Sequence, residues 1–282
     1  MGVNAHFRAF SFVDRISLLD PGRRIRGRYA IPARLVTFPP SLVAEAIGQL
    51  AAWAAMAAVD FKFRPVAGLA GSIELLSPVR PGQVLELAAE LETVDTEAAA
   101  YGGTAYADGI PVIRLQHCVG PMMRVEEFDD PQALRARFAL LQGDGAVPGA
   151  FDGGQSSVIE HTGGEAGQSL RATLQVPASA PFFADHFPRR PVFPGTLLMN
   201  ANLELVAALA AQLPAPAAGG SWTPRRVTDV KLRAFTPPGQ TLEIEARLIQ
   251  LATDAATVTV ETRNGKRIIS GARVRLAPEE PS

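Results

Sequence analysis

Two segments of the chain are apolar on almost every face at helical spacing. The first runs from Ser41 to Val59; the second follows Pro194-Gly195 and reaches Leu205, interrupted by Asn200. A helix that is apolar all round has to be surrounded by other structure. Each follows a Pro-rich turn, "FPPS" at Phe38–Ser41 and "FPGT" at Phe193–Thr196. After each come strand-like runs, three or four per segment. Alternation begins at Val84 and Glu86, and Asp108-Gly109 and Asn264-Gly265 are hairpin turn signals. Thr257–Leu276 reads as an antiparallel pair. A curved antiparallel sheet wrapped around one long helix satisfies this pattern. Two such units side by side would form one continuous sheet. Asp130 to Leu141 has helical spacing with Asp and Pro at its start.

The two segments belong to an internal repeat. Pro81-Gly82-Gln83 recurs as Pro238-Gly239-Gln240, 157 residues on. "FPPSLVAEA" from Phe38 matches "FPGTLLMNA" from Phe193 at an offset of 155, and Asp108-Gly109 matches Asn264-Gly265 at 156. Three anchors at nearly one spacing mark a duplicated unit. Between the copies, Gly143–Gln168 is rich in Gly and polar residues and reads as a surface crossing. The expected division is a first unit over 1–125, a helix plus Gly-rich linker over 126–165, and a second unit over 166–282.

Composition narrows the class. Of 282 residues, 47% are apolar and 20% charged, which is ordinary for a globular protein long enough for two domains. A formal charge of −1 argues against a general nucleic-acid binder. The single cysteine, Cys118, excludes an intrachain disulfide and suits a reducing cytoplasm. No signal-like pattern opens the chain. The most apolar run contains Glu45, Gly48 and Gln49, so it reads as a core helix and not a membrane span. His6, His117 and His161 are scattered without ligand spacing, so no metal is expected, and no cofactor either.

"FVDRISLLDPGRRIRG" (Phe12–Gly27) and "FFADHFPRRPVFPGTLL" (Phe182–Leu198) resemble the start and middle of bacterial 3-hydroxyacyl-acyl-carrier-protein dehydratases. The resemblance implies the α+β hot-dog fold, here doubled, with the two repeats as a pseudo-dimer. In that family each active site is shared by two subunits. One supplies a His, a carbonyl that orients it and a Gly N–H at a helix start; the other supplies a carboxylate and a Gln one turn later. The second repeat matches the first set with His186, Val192 and Gly195, but has Asn200 and Glu204 at the carboxylate and Gln positions. The first repeat has Ile31 and Pro40 where His and Gly belong, yet carries Glu45 and Gln49. Each repeat keeps the half that the other lacks, so the resemblance implies one complete site per chain.

Dehydration of a 3-hydroxyacyl thioester needs a base for the C2 proton, a donor for the thioester oxygen and an acid for the departing hydroxyl. His186, the Gly195 N–H and Glu45 fill those roles, with Gln49 bonding the carboxyl. Glu45, in an apolar helix, is expected to have a raised pKa. Taken alone, His186 reads as a turn residue, and Asn200 and Glu204 as structural. Thr196 stands where isomerising relatives often carry Cys, which implies dehydration without isomerisation. The implied partner is an acyl carrier protein in fatty-acid or polyketide-like synthesis. Arg189, Arg190, Arg225 and Arg226 are docking candidates, although each also reads as a solvated surface arginine. Two other functions remain open: a hot-dog thioesterase, which needs no His-Phe-Pro motif, and a non-catalytic acyl-binding or scaffold protein. Chain length, carrier protein against coenzyme A, and further pairing of chains are also open.

Overall fold

A computed structural model describes residues 6–148, 150–152, 159–217 and 219–279. Strands β1 (Arg15–Asp20) and β2 (Arg24–Ala30) precede helix α1 (Pro40–Ala58). Then come β3 (Phe63–Pro65), β4 (Leu69–Leu75), β5 (Val84–Val94), β6 (Ala98–Ala107) and β7 (Ile110–Arg124). Helix α2 (Pro131–Gln142) leads to β8 (Ile159–Glu165) and β9 (Ser169–Gln175). Helix α3 (Gly195–Ala210) is followed by β10 (Trp222–Leu232), β11 (Thr241–Leu251), β12 (Ala256–Asn264) and β13 (Arg267–Pro278).

The strands run β1-β2-β5-β6-β7-β4-β10-β13-β12-β11-β9-β8, with short β3 paired to β7. Every pairing is antiparallel. The strands around α1 meet those around α3 at the β4–β10 pair, where Ile73 faces Val227. Among the described residues the sheet is therefore one continuous surface, and α1 and α3 pack against each other as well as against it.

Helix α1 is held by burial. Leu42, Val43, Ala46, Ile47, Leu50 and Ala54 are all buried. Its approach to the sheet is close enough to demand glycine: a Cβ on Gly103 of β6 would lie 2.5 Å from Ile47 Cγ2 and 2.6 Å from the Ala88 carbonyl oxygen. By length and composition alone this helix could cross a membrane, yet 67% of its apolar 18-residue window is buried inside the protein. Both long helices open without a side-chain cap. Pro40 is the first residue of α1, and its missing N–H costs nothing there; Gly195 is the first of α3. Asp130 caps α2 by accepting from the N–H groups of Gln132 and Ala133.

Three expectations need correction. The Gly143–Gln168 stretch is not only a surface crossing: Ile159–Glu165 is β8, an edge strand paired to β9, and Phe151 is buried. The second group of strands thus begins before 166, at 159; Gly149 and 153–158 of that stretch lie outside the described residues. The second hairpin turn is shifted by one residue. Asn264 is still paired to Arg267, so the loop is Gly265-Lys266, whereas Asp108-Gly109 is itself the loop between Ala107 and Ile110. Asp108 and Gly109 both have positive φ, as the tight turn matched to strand twist requires.

Candidate active site

His186 sits on a loop that is tied at both ends. Its N–H donates to the Phe182 carbonyl at 2.9 Å, and the Val192 N–H donates to its carbonyl at 2.9 Å. Its Nδ1 lies 2.9 Å from the Val192 carbonyl oxygen. A carbonyl can only accept, so Nδ1 carries the proton and Nε2 keeps a free lone pair. Burial holds the His186 pKa below the ordinary value; Glu45 and the Val192 carbonyl oppose that shift, and Arg64 adds to it. The ring is neutral at pH 7. Phe10 meets it edge-on and Phe187 stacks on it.

Glu45 projects from α1 with a partner for each oxygen. Gln49, one turn on, donates from Nε2 to Oε1 at 2.9 Å, and Thr196 Oγ1 donates to Oε2 at 2.7 Å. Gln49 is fixed in turn: its Nε2 also donates to the Phe10 carbonyl at 2.9 Å, and its Oε1 accepts from the Phe12 N–H at 2.8 Å. The Thr196 bond joins the first turn of α3 to α1. A hydroxyl can donate to a carboxylate or accept from a carboxyl, so it can serve Glu45 in either protonation state.

Glu45, Gln49, His186, Val192 and Gly195 all line one cavity of about 240 Å³ between α1, α3 and the centre of the sheet. Gly195 begins α3, so its N–H has no intrahelical acceptor and lies at the positive end of the helix dipole. A Cβ there would meet Leu232 Cδ1 at 2.5 Å. Much of the wall is apolar, with Met56, Ile73, Leu115, Leu198, Val227 and Val274 among its residues. The N-terminal segment closes one side: Asp185 accepts from the N–H groups of Phe7 and Phe10, the latter at 2.6 Å, and from Ser11 Oγ.

Ile31 and Asn200 are not among the residues lining this cavity. Ile31 is buried, and Asn200 Nδ2 donates to Glu204 Oε1 at 2.7 Å on an exposed face. Nor do the four arginines line it. Arg189 pairs with Asp130 at 3.5 Å, Arg190 with Glu127 at 3.6 Å, and Arg226 with Glu74; Arg225 lies beside Arg226 on β10.

Sequence reasoning missed three contributors. The sequence marks Thr196 as the position where isomerising relatives often carry Cys, but not as a partner of Glu45. Asp185 precedes His186 without any spacing that would mark it as an anchor for residues 7–11. Arg64, in "FKFRP", carries no sequence signal of its own, yet it lines the cavity 4.0 Å from the Phe187 ring centroid. Burial lowers its pKa to about 10, opposed by Asp129 and Glu45. Among the described residues no group of His, Cys, Asp and Glu side chains could hold a metal ion.

A sequence profile described as ApeI-like, ApeI dehydratase, matches residues 162–272. The 3-hydroxyacyl-acyl-carrier-protein dehydratase FabZ of Rickettsia felis is 32% identical over 98 residues, spanning 33% of this chain and 68% of that protein. The chain belongs to the 3-hydroxyacyl-acyl-carrier-protein dehydratase family. Another dehydratase of the family, FabZ of Shewanella woodyi, is 27% identical over 126 residues, 44% of this chain and 81% of that protein. Solved structures resemble the chain over more of its length. A hot-dog protein of unknown function from Alicyclobacillus acidocaldarius gives a TM-score of 0.55 at 12% identity, covering 97% of this chain and 98% of that one. The 12:0-ACP thioesterase from Umbellularia californica gives 0.57 at 9% identity, covering 91% and 94%. At such identity these likenesses show the fold alone: this dehydratase-family chain is an α+β hot-dog protein.

Proposed function

We propose that the chain is two hot-dog units acting as a pseudo-dimer, the first centred on α1 and the second, from residue 159, on α3, with one split active site that removes water from a 3-hydroxyacyl thioester. The observation that carries this reading is the single cavity lined by Glu45 and Gln49 of the first unit and by His186, Val192 and Gly195 of the second.

Nε2 of His186 takes a proton from C2 while the thioester oxygen accepts from the Gly195 N–H, which stabilises the enolate-like charge. The C2–H electron pair forms the C2=C3 double bond as the C3–O bond breaks. Glu45, as the carboxylic acid, gives its proton to the departing hydroxyl, which leaves as water. Thr196 and Gln49 hold the carboxyl throughout. The products are an enoyl thioester, an imidazolium and a carboxylate; return of one proton from His186 to Glu45 resets the site. The apolar wall suits the acyl chain. The substrate carrier is an acyl carrier protein, a reading supported by the FabZ relatives, which are 3-hydroxyacyl-acyl-carrier-protein dehydratases.

Incubation of the protein with an enoyl thioester on authentic acyl carrier protein tests the reading in the hydration direction. Loss of the conjugated absorbance without release of free thiol is the expected result. Thiol release with the double bond intact would make the protein a thioesterase. No conversion by the folded protein would favour a binding role.

A further inference from the structure

The reaction above leaves one group in the cavity wall without a task. Arg64 is the one cation among the described residues lining the cavity if His186 is neutral. Its Nε and Nη1 are buried and find no hydrogen-bond acceptor among the described residues. Asp129 Oδ2 stands 3.7 Å from Nη1, beyond hydrogen-bond reach, and the same oxygen lies 3.2 Å from His6 Nε2. The guanidinium lies over Phe187, whose neighbour His186 is the proposed base, and both it and Glu45 line the same cavity. Buried charged donors without acceptors are costly, and a packing role alone does not need them.

We propose that Arg64 determines specificity by donating to a neutral oxygen of the thioester substrate, a carbonyl or hydroxyl other than the thioester carbonyl and the C3 hydroxyl. This inference rests on the dehydratase reading for the identity of the ligand. The oxygen is neutral because the charge is already balanced: Asp129 sits beside Arg64, and Asp185 lines the same cavity. A ligand carboxylate would add a further negative charge to that buried group. The planar fork of an arginine can present two fixed donors to one or two such acceptors. The oxygen can come from the acyl chain beyond C3 or from an amide carbonyl of the pantetheine arm.

Inert thioether probes separate these sources and do not depend on turnover. S-(3-hydroxyoctyl)pantetheine is the reference. A 5-oxo version adds an acyl oxygen; an S-(3-hydroxyoctyl) alkyl thioether removes the amide carbonyls. Dissociation constants would be measured by calorimetry for the wild type, Arg64→Met and Arg64→Lys. In one of the two pairs the oxygen-bearing probe should bind the wild type about tenfold to a hundredfold more tightly than its partner. Arg64→Met should reduce that ratio to within about threefold, and Arg64→Lys should keep part of it. A wild-type ratio under about threefold in both pairs would overturn the proposal. So would a ratio that Arg64→Met leaves unchanged. If Arg64→Met fails to fold, the wild-type ratios and Arg64→Lys decide by the same criteria. Turnover of the matching thioesters is followed in parallel. Selectivity without turnover sinks the dehydratase reading and leaves this one standing; turnover without selectivity does the reverse.

Discussion

The starts of α1 and α3 occupy matching places in the repeat, and they are built to opposite ends. At α3 the first residue is Gly195, which lines a cavity, and His186 is tied to Val192 beside it. At α1 the first residue is Pro40, which has no N–H, and the position matching His186 is the buried Ile31. Phe12, Tyr29, Phe38 and Phe151 crowd there, with Phe12 and Phe151 centroids 5.0 Å apart and Phe12 and Tyr29 5.4 Å apart. On the proposed reading, one helix start is kept open for chemistry and the other is filled as core. A duplicated unit then needs only one working copy of each half-site. The idle halves are then free to gain packing, and the aromatic cluster is what that freedom looks like.

The largest effects should come from the open start. His186→Ala is expected to lower turnover by about 10²–10⁴-fold, and Glu45→Gln by about 10²-fold or more, with circular dichroism unchanged in both. Because burial lowers the His186 pKa, the acid limb of kcat/KM should fall below the ordinary histidine value of 6.5. A limb above 6.5 would mean that another group is titrating. At the filled start the expected effect is on stability. Phe151→Ala removes a side chain only 2% exposed and should cost about 3–5 kcal/mol in chemical denaturation. Turnover should stay within about threefold of wild type at a temperature where the variant is folded. A large loss of activity with little loss of stability would reverse the contrast between the two starts.

A smaller effect is expected at Asp14, whose Oδ2 accepts from the Ala30 N–H at 2.7 Å, next to Ile31. Burial raises its pKa from 3.8 to about 6, against the pull of that N–H, Arg137 and Arg28. A carboxyl whose pKa is raised by folding supports the fold fully below its unfolded pKa and loses that support as pH rises through the folded value. At pH 8 the charged Asp14 therefore weakens the fold. Asp14→Asn keeps an acceptor for Ala30 and should gain about 1–2 kcal/mol at pH 8, with the gain fading by pH 4. Thermal melts at the two pH values check this. A loss at pH 8 would mean that Arg28 and Arg137 hold the carboxylate more firmly than burial penalises it.

What could be read from the sequence follows from how local each signal is. The helix starts and the complementary residues stood out because Pro-Gly, His-Phe-Pro and the repeat offset all lie along the chain. Strand β8 did not, because an edge strand of Gly and polar residues has no buried face to impose alternation; pairing to β9 alone makes it a strand. Phe151 was one apolar residue in a Gly-rich stretch, and its burial depends on the rings of Phe10, Phe12 and Phe38 from two other segments. The Thr196–Glu45 bond and the place of Arg64 depend on how α1, α3 and β3 meet in space. No spacing along the chain encodes that meeting.

The smallest expected effect is also the one that tests the contrast most directly. Asn200 and Glu45 hold the same place in their helices, the sixth residue of α3 and of α1. Glu45 faces the cavity with both oxygens bonded, while Asn200 donates to Glu204 outside the cavity. That bond supports the Glu204 carboxylate against burial, which raises its pKa. Asn200→Ala removes one exposed hydrogen bond, so stability should change by about 1 kcal/mol or less. Turnover should remain within about threefold of wild type, against the hundredfold loss expected for Glu45→Gln at the same pH. The two variants must be read together, because either alone could reflect a general disturbance of the helix. If Asn200→Ala abolished turnover while Glu45→Gln left it intact, the working acid would belong to the second unit. The division of labour between the two helix starts would then be the reverse of the one argued from the cavity.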